Sequence, residues 1–295
     1  MHKPVLLNEV LEMLRPTPGS AMVDGTVGGG GHGLPIAERL APGGKFLGLD
    51  WDGKRIDTLK PVFSKTNLGL KECLLKVGNY ANLPEILKQQ KWGEVDGLLL
   101  DLGFCSDQLH ETRGFSFRGP EEPLLMFYSE NSQPAYEALS RLTEKQLKEI
   151  IRDLSDERFA GRIARAICEQ RKNRPILTNQ DLAGVIRRAV PRNYEGGRID
   201  PATRTFMALR MYINDEIGNL GRLLGQLKKI VKPGGKVIII SYHSKEDAMV
   251  KNFFRGLSGS GDARLLTSKA IRPSPAEIKL NPNSRSAKLR AIQVN

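Results

Sequence analysis

Asp24-Gly25-Thr26-Val27-Gly28-Gly29-Gly30-Gly31-His32-Gly33 sets six glycines within nine residues, directly after an apolar run. Backbone so free of side chains can approach a ligand closely and offer it the amides of a helix start. The spacing loosely meets G-x-G-x-x-G, so a dinucleotide is one candidate ligand, and no Lys-Ser/Thr follows as a P-loop requires. Asp50 ends a second apolar run 26 residues after Asp24. A carboxylate there has two acceptor oxygens for the two hydroxyls of a ribose. Asp101, in Leu100-Asp101-Leu102-Gly103, can orient the amino-acid end of a ligand or accept a hydrogen bond from an attacking amine. Asp215 and His243 are further acceptors, in Asn214-Asp215-Glu216 and Ser241-Tyr242-His243-Ser244. A helix start with favourable acids is the plainer account of the first, and a hydrogen bond at a strand end that of the second.

These residues need a scaffold that brings strand ends together. Short apolar runs at 21–27, 45–50, 74–77 and 95–103 alternate with helix-length segments at 34–40, 54–62 and 82–89. That alternation predicts a mostly parallel sheet covered on both faces. A fifth strand, 236–241, follows an amphipathic helix expected over Asp215–Val231 and closed by Pro233-Gly234-Gly235. The long stretch between strands four and five exceeds any single crossover, and its middle reads as helix. Thr143 opens one helix with Glu144 and Gln146 behind it, and Glu157–Lys172 and Thr178–Ala189 are two more. The expected organisation is a ligand-binding domain of residues 1–105 and 206–295, with 106–205 inserted as a helical substrate-binding domain, a wall or lid beyond strand four. Residues 256–275 read as a flexible loop and 287–294 as a last strand.

Composition narrows the class. The 295 residues are 40% hydrophobic and 26% charged, ordinary values for a folded soluble chain. Three widely spaced cysteines supply neither a disulfide framework nor metal-ligand spacing, so no metal is expected. No apolar run reaches signal-peptide or membrane-span length, so a cytoplasmic protein is expected. The net charge of +12 is segregated: residues 1–140 carry −4, whereas 141–210 and 251–295 carry +7 each. A basic middle and tail behind an acidic front suggest a polyanion partner. Arg158, Arg162 and Arg165 fall on one face of a helix, with Arg187, Arg188 and Arg204 beside them. They are expected to position RNA through its phosphates, although a solvated helix face has the same pattern.

The sequence resembles the small-subunit ribosomal RNA cytosine-N4 methyltransferase family, also called the MraW family. The likeness rests on the glycine loop, Leu100–Gly103 with Gln108-Leu109, Arg113-Gly114-Phe115-Ser116-Phe117 and Glu157-Arg158-Phe159-Ala160. It continues through Pro201-Ala202-Thr203-Arg204-Thr205-Phe206, Asn214-Asp215-Glu216 and Ser241–Asp247 to Asn283–Arg290, nearly the whole chain. The resemblance implies a class I methyltransferase fold, Rossmann-like, with an inserted helical domain. It implies S-adenosylmethionine as cofactor, held by Gly30, Gly31 and His32, with Asp50 on the ribose, Tyr80 beside the adenine, Asp101 near the amino-acid end and Gln108 close by. The implied partner is small ribosomal subunit RNA, with no membrane and a monomer or homodimer. The implied reaction is methylation of the exocyclic N4 of a cytidine. That amine is a poor nucleophile, so acceptors must hold it, and the base must leave any stack. Asp101, Asp215 and His243 are the candidates.

One segment departs from the family. Where it usually reads Pro-Leu-Asp-Met-Arg-Met-Asp, this chain has Pro123-Leu124-Leu125-Met126-Phe127-Tyr128-Ser129, and the usual Gly-Val-Ser-Ser is Gly103-Phe104-Cys105-Ser106. Leu125, Phe127 and Ser129 thus replace two acids and an arginine. This favours an alternative in which a catalytically weakened paralogue serves as an RNA-binding or ribosome-assembly factor. An NAD-dependent oxidoreductase is a second rival, opposed by the basic insertion and the lack of a second nucleotide-binding half.

Overall fold

The computed structural model describes residues 3–66, 68–103, 112–129 and 132–295. Two compact units divide the chain: Met1–Gly103 with Gly218–Asn295, and Phe104–Ile217.

The first unit opens with α1 (Leu7–Leu14), β1 (Ala21–Asp24), α2 (Gly33–Arg39), β2 (Lys45–Asp50) and α3 (Gly53–Lys65). It continues with β3 (Glu72–Val77), α4 (Leu83–Gln89) and β4 (Val95–Asp101). The second unit holds α5 (Ala135–Arg141), α6 (Glu144–Ser155), α7 (Ala160–Asn173), α8 (Asn179–Ala189) and α9 (Ala202–Ile213). The chain then runs through α10 (Glu216–Leu224), α11 (Leu227–Ile230), β5 (Val231–Ser241), α12 (Ser244–Gly259), β6 (Ala263–Leu265), α13 (Pro275–Leu280) and β7 (Lys288–Val294).

The sheet has the order β3-β2-β1-β4-β5-β7-β6. Pairings from β3 through to β5 are parallel, and β7 runs antiparallel to both β5 and β6. This is the class I methyltransferase arrangement that the resemblance implied. Period-two alternation buries both faces: Leu47, Leu49, Leu98, Leu100, Val237 and Ile239 enter one core, while Phe46, Leu99, Ile238 and Ile240 enter the other. Continuous apolar strands are therefore required, as the sequence suggested. Parallel register sets Asp24, Asp50 and Asp101 at the carboxyl ends of adjacent strands, β1 lying between β2 and β4.

The second unit has its own core of Leu147, Ile151, Ile163, Ile167, Leu182, Ile186 and Phe206, among others. Thr143 and Thr178 start α6 and α8 with reciprocal capping boxes, each hydroxyl accepting from the third helical amide. The second unit ends at Ile217, later than the expected 205, because α9 packs on α5, α6 and α8.

Three other expectations shift. The expected helix over Asp215–Val231 is two helices, α10 and α11, and Pro233-Gly234-Gly235 lies inside β5. Residues 256–275 are not simply a loop: α12 continues to Gly259 and β6 follows. Arg158 precedes α7, which begins at Ala160, because Glu157 turns its carboxylate back on the amide of Phe159 at 2.8 Å.

Candidate active site

The glycine loop leaves β1 and is fastened to its neighbours by backbone. Gly25 donates to the Leu99 carbonyl at 2.9 Å, and Val27 to that of Leu49 at 2.7 Å. Gly30 has φ +77°, and a Cβ there would stand 2.9 Å from a Leu59 methyl, so both conformation and space demand glycine. Thr26 ties the strand tips together: its hydroxyl accepts from the Asp101 amide at 2.7 Å and lies 3.4 Å from Asp24 Oδ1.

Three carboxylates converge on this edge. Asp24 is buried, and its Oδ1 accepts from the Thr26 amide at 3.0 Å. Burial pushes its pKa up to about 6; His32 and the Thr26 amide oppose this, while Asp101 and Asp50 add to it. Burial likewise raises Asp50, against the amides of Asp52 and Gly28 and the Arg55 guanidinium. Those amides meet separate oxygens, Asp52 on Oδ1 at 2.8 Å and Gly28 on Oδ2 at 3.0 Å. Each oxygen keeps a further lone pair for a hydroxyl donor. The Asp50 carboxylate is thus aimed by two backbone groups.

Asp101 has a ring on either side. The buried His32 ring has Nε2 2.9 Å from the Val5 carbonyl and Nδ1 3.7 Å from Asp101 Oδ2. A carbonyl only accepts, so Nε2 carries the proton and, in the neutral ring, Nδ1 faces the carboxylate as an acceptor. On the other side the Tyr242 hydroxyl donates to the Asp101 carboxylate. Burial, then this charge, holds that phenol far above its ordinary range. Oδ1 of Asp101 is buried and accepts no hydrogen bond from the described residues. Such an acceptor is costly unless a ligand supplies the donor. The Tyr242 ring packs where a Cβ on Gly103 would lie, 2.5 Å from Cε2.

Other expected residues fall as follows. Tyr80 is buried after β3, its ring stacked with Trp51 at 6.3 Å between centroids. Gly31 backs onto Pro4. His243 is the N-cap of α12: Nδ1 accepts from the Glu246 amide at 3.4 Å, and Nε2 is 3.1 Å from Glu246 Oε1. Its ring is engaged in capping α12. Asp215, in the second unit, joins α9 to α10 with φ +46°. Gln108 lies outside the described residues. Sequence reasoning missed Thr26, Trp51 and Tyr242 as site builders, although each lies within or beside a motif it had singled out.

Among the arginines expected to meet RNA, four face acids. Arg204 is 2.9 Å from Glu195 and 4.0 Å from the buried Glu157, which also accepts from the Tyr194 hydroxyl. Arg158 is 3.8 Å from Glu195, Arg165 is 3.7 Å from Glu144, and Arg187 is 3.0 Å from Asp200. Arg162 lies over the Phe159 ring at 5.7 Å, and Arg188 reaches Gln170 at 3.4 Å.

The divergent segment in the second unit is built rather than eroded. Arg113 donates to the carbonyls of Phe127 and Tyr128 at 3.3 and 3.2 Å. Asn214 accepts from the Tyr128 amide at 2.8 Å and donates to the Met126 carbonyl at 2.8 Å. The Tyr128 hydroxyl reaches Glu216 at 3.0 Å, and Arg210 grips that carboxylate through both oxygens at 2.9 and 3.0 Å. Polar groups elsewhere thus hold the loop whose own charges are gone.

Comparison with known proteins shows what this chain is similar to. Ribosomal RNA small subunit methyltransferase H of Syntrophus aciditrophicus is 42% identical over 308 residues, covering 99% of this chain and 97% of that one. The protein of the same name from Coprothermobacter proteolyticus is 41% identical over 293 residues, covering 99% and 95%. The solved structure of PH0851 matches with a TM-score of 0.50 at 17% identity, covering 99% of this chain and 46% of that one, a likeness of fold alone. The MraW methylase family matches residues 1–295. Strand-tip acids, glycine loop and end-to-end similarity lead to one conclusion: this chain belongs to the MraW methylase family.

Proposed function

We propose that this chain is an S-adenosylmethionine-dependent methyltransferase acting on the exocyclic N4 of a cytidine in small-subunit ribosomal RNA. The observation that carries the reading is the family match along the whole chain, with relatives near 40% identity named ribosomal RNA small subunit methyltransferase H. The paralogue and oxidoreductase alternatives have no comparable support.

The strand-tip edge fits the donor. S-adenosylmethionine carries a ribose diol, an ammonium and a cationic sulfonium. Buried carboxylates and an acceptor without a partner among the described residues, Asp101 Oδ1, suit such a molecule. In this reading Asp50 takes the ribose hydroxyls, the Gly30–His32 backbone lies along the donor, and Tyr80 flanks the adenine with Trp51 behind it. Asp101 accepts from an ammonium or from the substrate amine. When bound, the donor supplies a methyl group already activated by its sulfonium. The protein's share is alignment and removal of water. Asp101 is the preferred acceptor for the amine, since the Tyr242 phenol meets its carboxylate and the Thr26 hydroxyl anchors its backbone amide. Asp215 is a second. His243 serves through the α12 cap. Arg162 and Arg188, which no acid neutralises among the described residues, are the stronger phosphate contacts of the six arginines.

No helix among the described residues is long and apolar enough to cross a membrane. In this reading the enzyme acts in the cytoplasm, where an RNA substrate of this kind would be met. The test pairs calorimetry with S-adenosylmethionine and methyl transfer to unmodified small subunits, the product mapped by mass. Donor binding with N4-methylcytidine formation is expected. Donor binding without transfer would overturn the catalytic reading.

A further inference from the structure

The second basic region, residues 251–295, lies wholly in the first unit. Lys251 and Arg255 stand one turn apart on α12, roughly two and three turns beyond its start at the β5 tip. With Thr267 and Ser268 after β6 and Arg290 on β7, they line a shallow recess over Phe254 and Leu265. Neither Lys251 nor Arg255 has an ion-pair or hydrogen-bond partner among the described residues. Asp247, one turn before Lys251, does not neutralise them: Lys288 at 3.2 Å and Arg290 at 2.7 Å already share its carboxylate. Arg290 reaches Asp247 through Nε, and its guanidinium has further N–H donors. Thr267 Oγ1 accepts from the Ala291 amide at 3.0 Å, so its O–H remains to donate.

We propose that this recess binds a backbone phosphate of the RNA substrate, as a contact apart from the methyl-transfer edge. The inference rests on the RNA reading above. Cations and hydroxyl donors around one hollow match the charge and acceptor oxygens of a phosphodiester. The charge of +7 over residues 251–295 gives the recess a basic surround that an isolated metabolite phosphate would not need. Four of the six insertion arginines expected to meet RNA differ, since each faces an acid of its own unit.

The experiment uses the full chain carrying Lys251→Gln with Arg255→Gln, and unmodified small subunits as substrate. KM for subunits should rise about tenfold near physiological salt, and the slope of log KM against log salt should fall by about one to two. The kcat at saturation and the calorimetric affinity for S-adenosylmethionine should stay at wild-type values, which also reports an intact fold. The charge-keeping pair Lys251→Arg with Arg255→Lys should restore both KM and slope. Inorganic phosphate should compete only at millimolar levels or above. Unchanged KM and slope in the neutral variant would overturn the proposal. So would equal impairment in the charge-keeping variant, or micromolar binding of inorganic phosphate with no effect on RNA. If the wild type itself fails to methylate subunits, the functional reading falls instead.

Discussion

The acids of the first unit and the arginines of the second are both clusters of like charge in the sequence, and the fold treats them differently. Asp24, Asp50 and Asp101 end adjacent parallel strands, so backbone register alone gathers three carboxylates on one edge. Their burial raises the pKa of Asp24 and Asp50, and one oxygen of Asp101 has no partner among the described residues. Arg158, Arg165, Arg187 and Arg204 each stand against a carboxylate of their own unit. Like charge left concentrated on a buried edge points to a ligand of opposite charge. Charge answered within the same unit points to architecture.

The contrast breaks most readily at Asp50. Asp50→Ala removes acceptors for two hydroxyls and should weaken donor binding by roughly 4 kcal/mol, close to a thousandfold, by calorimetry. Unchanged affinity would remove the ribose assignment. Asp24 comes next. Its carboxyl titrates near 6 when folded, against an ordinary 3.8, a difference of about 3 kcal/mol. The folded chain takes up this proton before the unfolded one does. The associated stability is complete below about 3.8 and is lost as pH rises through about 6. Asp24→Asn should flatten that part of the profile, read by denaturant unfolding at pH 5 and 7. A cationic donor favours the ionised acid, so donor affinity should fall below about pH 6 in the wild type and not in the variant.

Tyr242→Phe sharpens the contrast within the first unit. It keeps the ring against Gly103 and deletes the hydroxyl that aims Asp101. We expect about a tenfold loss of kcat/KM and a melting point changed by little. A loss confined to stability would make Tyr242 a packing residue only. Arg165→Gln should have the smallest effect. Its partner is Glu144 on an exposed surface, so stability should change by less than about 0.5 kcal/mol and KM for subunits by less than about twofold. A larger rise in KM would return the arginine stripe to the RNA.

The strand-tip edge was legible in the sequence because backbone does most of the positioning. A strand end fixes where a short acid stands, and the Gly30 turn is dictated by conformation. The capped starts of α6 and α8 were legible for a similar local reason. Long arginine side chains choose partners several ångströms from their Cα, so spacing along a helix did not reveal Glu144, Glu195 or Asp200. The return to the first unit was placed too early because α9 is amphipathic in either setting, and only packing on α5, α6 and α8 assigns it. Gly256 and Gly259 suggested a loop, yet Phe254 and the preceding α12 face are buried deeply enough to carry the helix through them. The raised pKa of Asp24 comes first from its burial in the assembled sheet and then from Asp101 and Asp50 on the neighbouring strands, which no linear motif displays.

The most direct test of the account is mass mapping of small-subunit RNA after incubation of unmodified subunits with this chain and isotopically labelled S-adenosylmethionine. The account predicts one labelled methyl on the exocyclic N4 of a cytidine, and none with Asp50→Ala. Label on another atom or base, or no label from a chain that binds the donor, would contradict it.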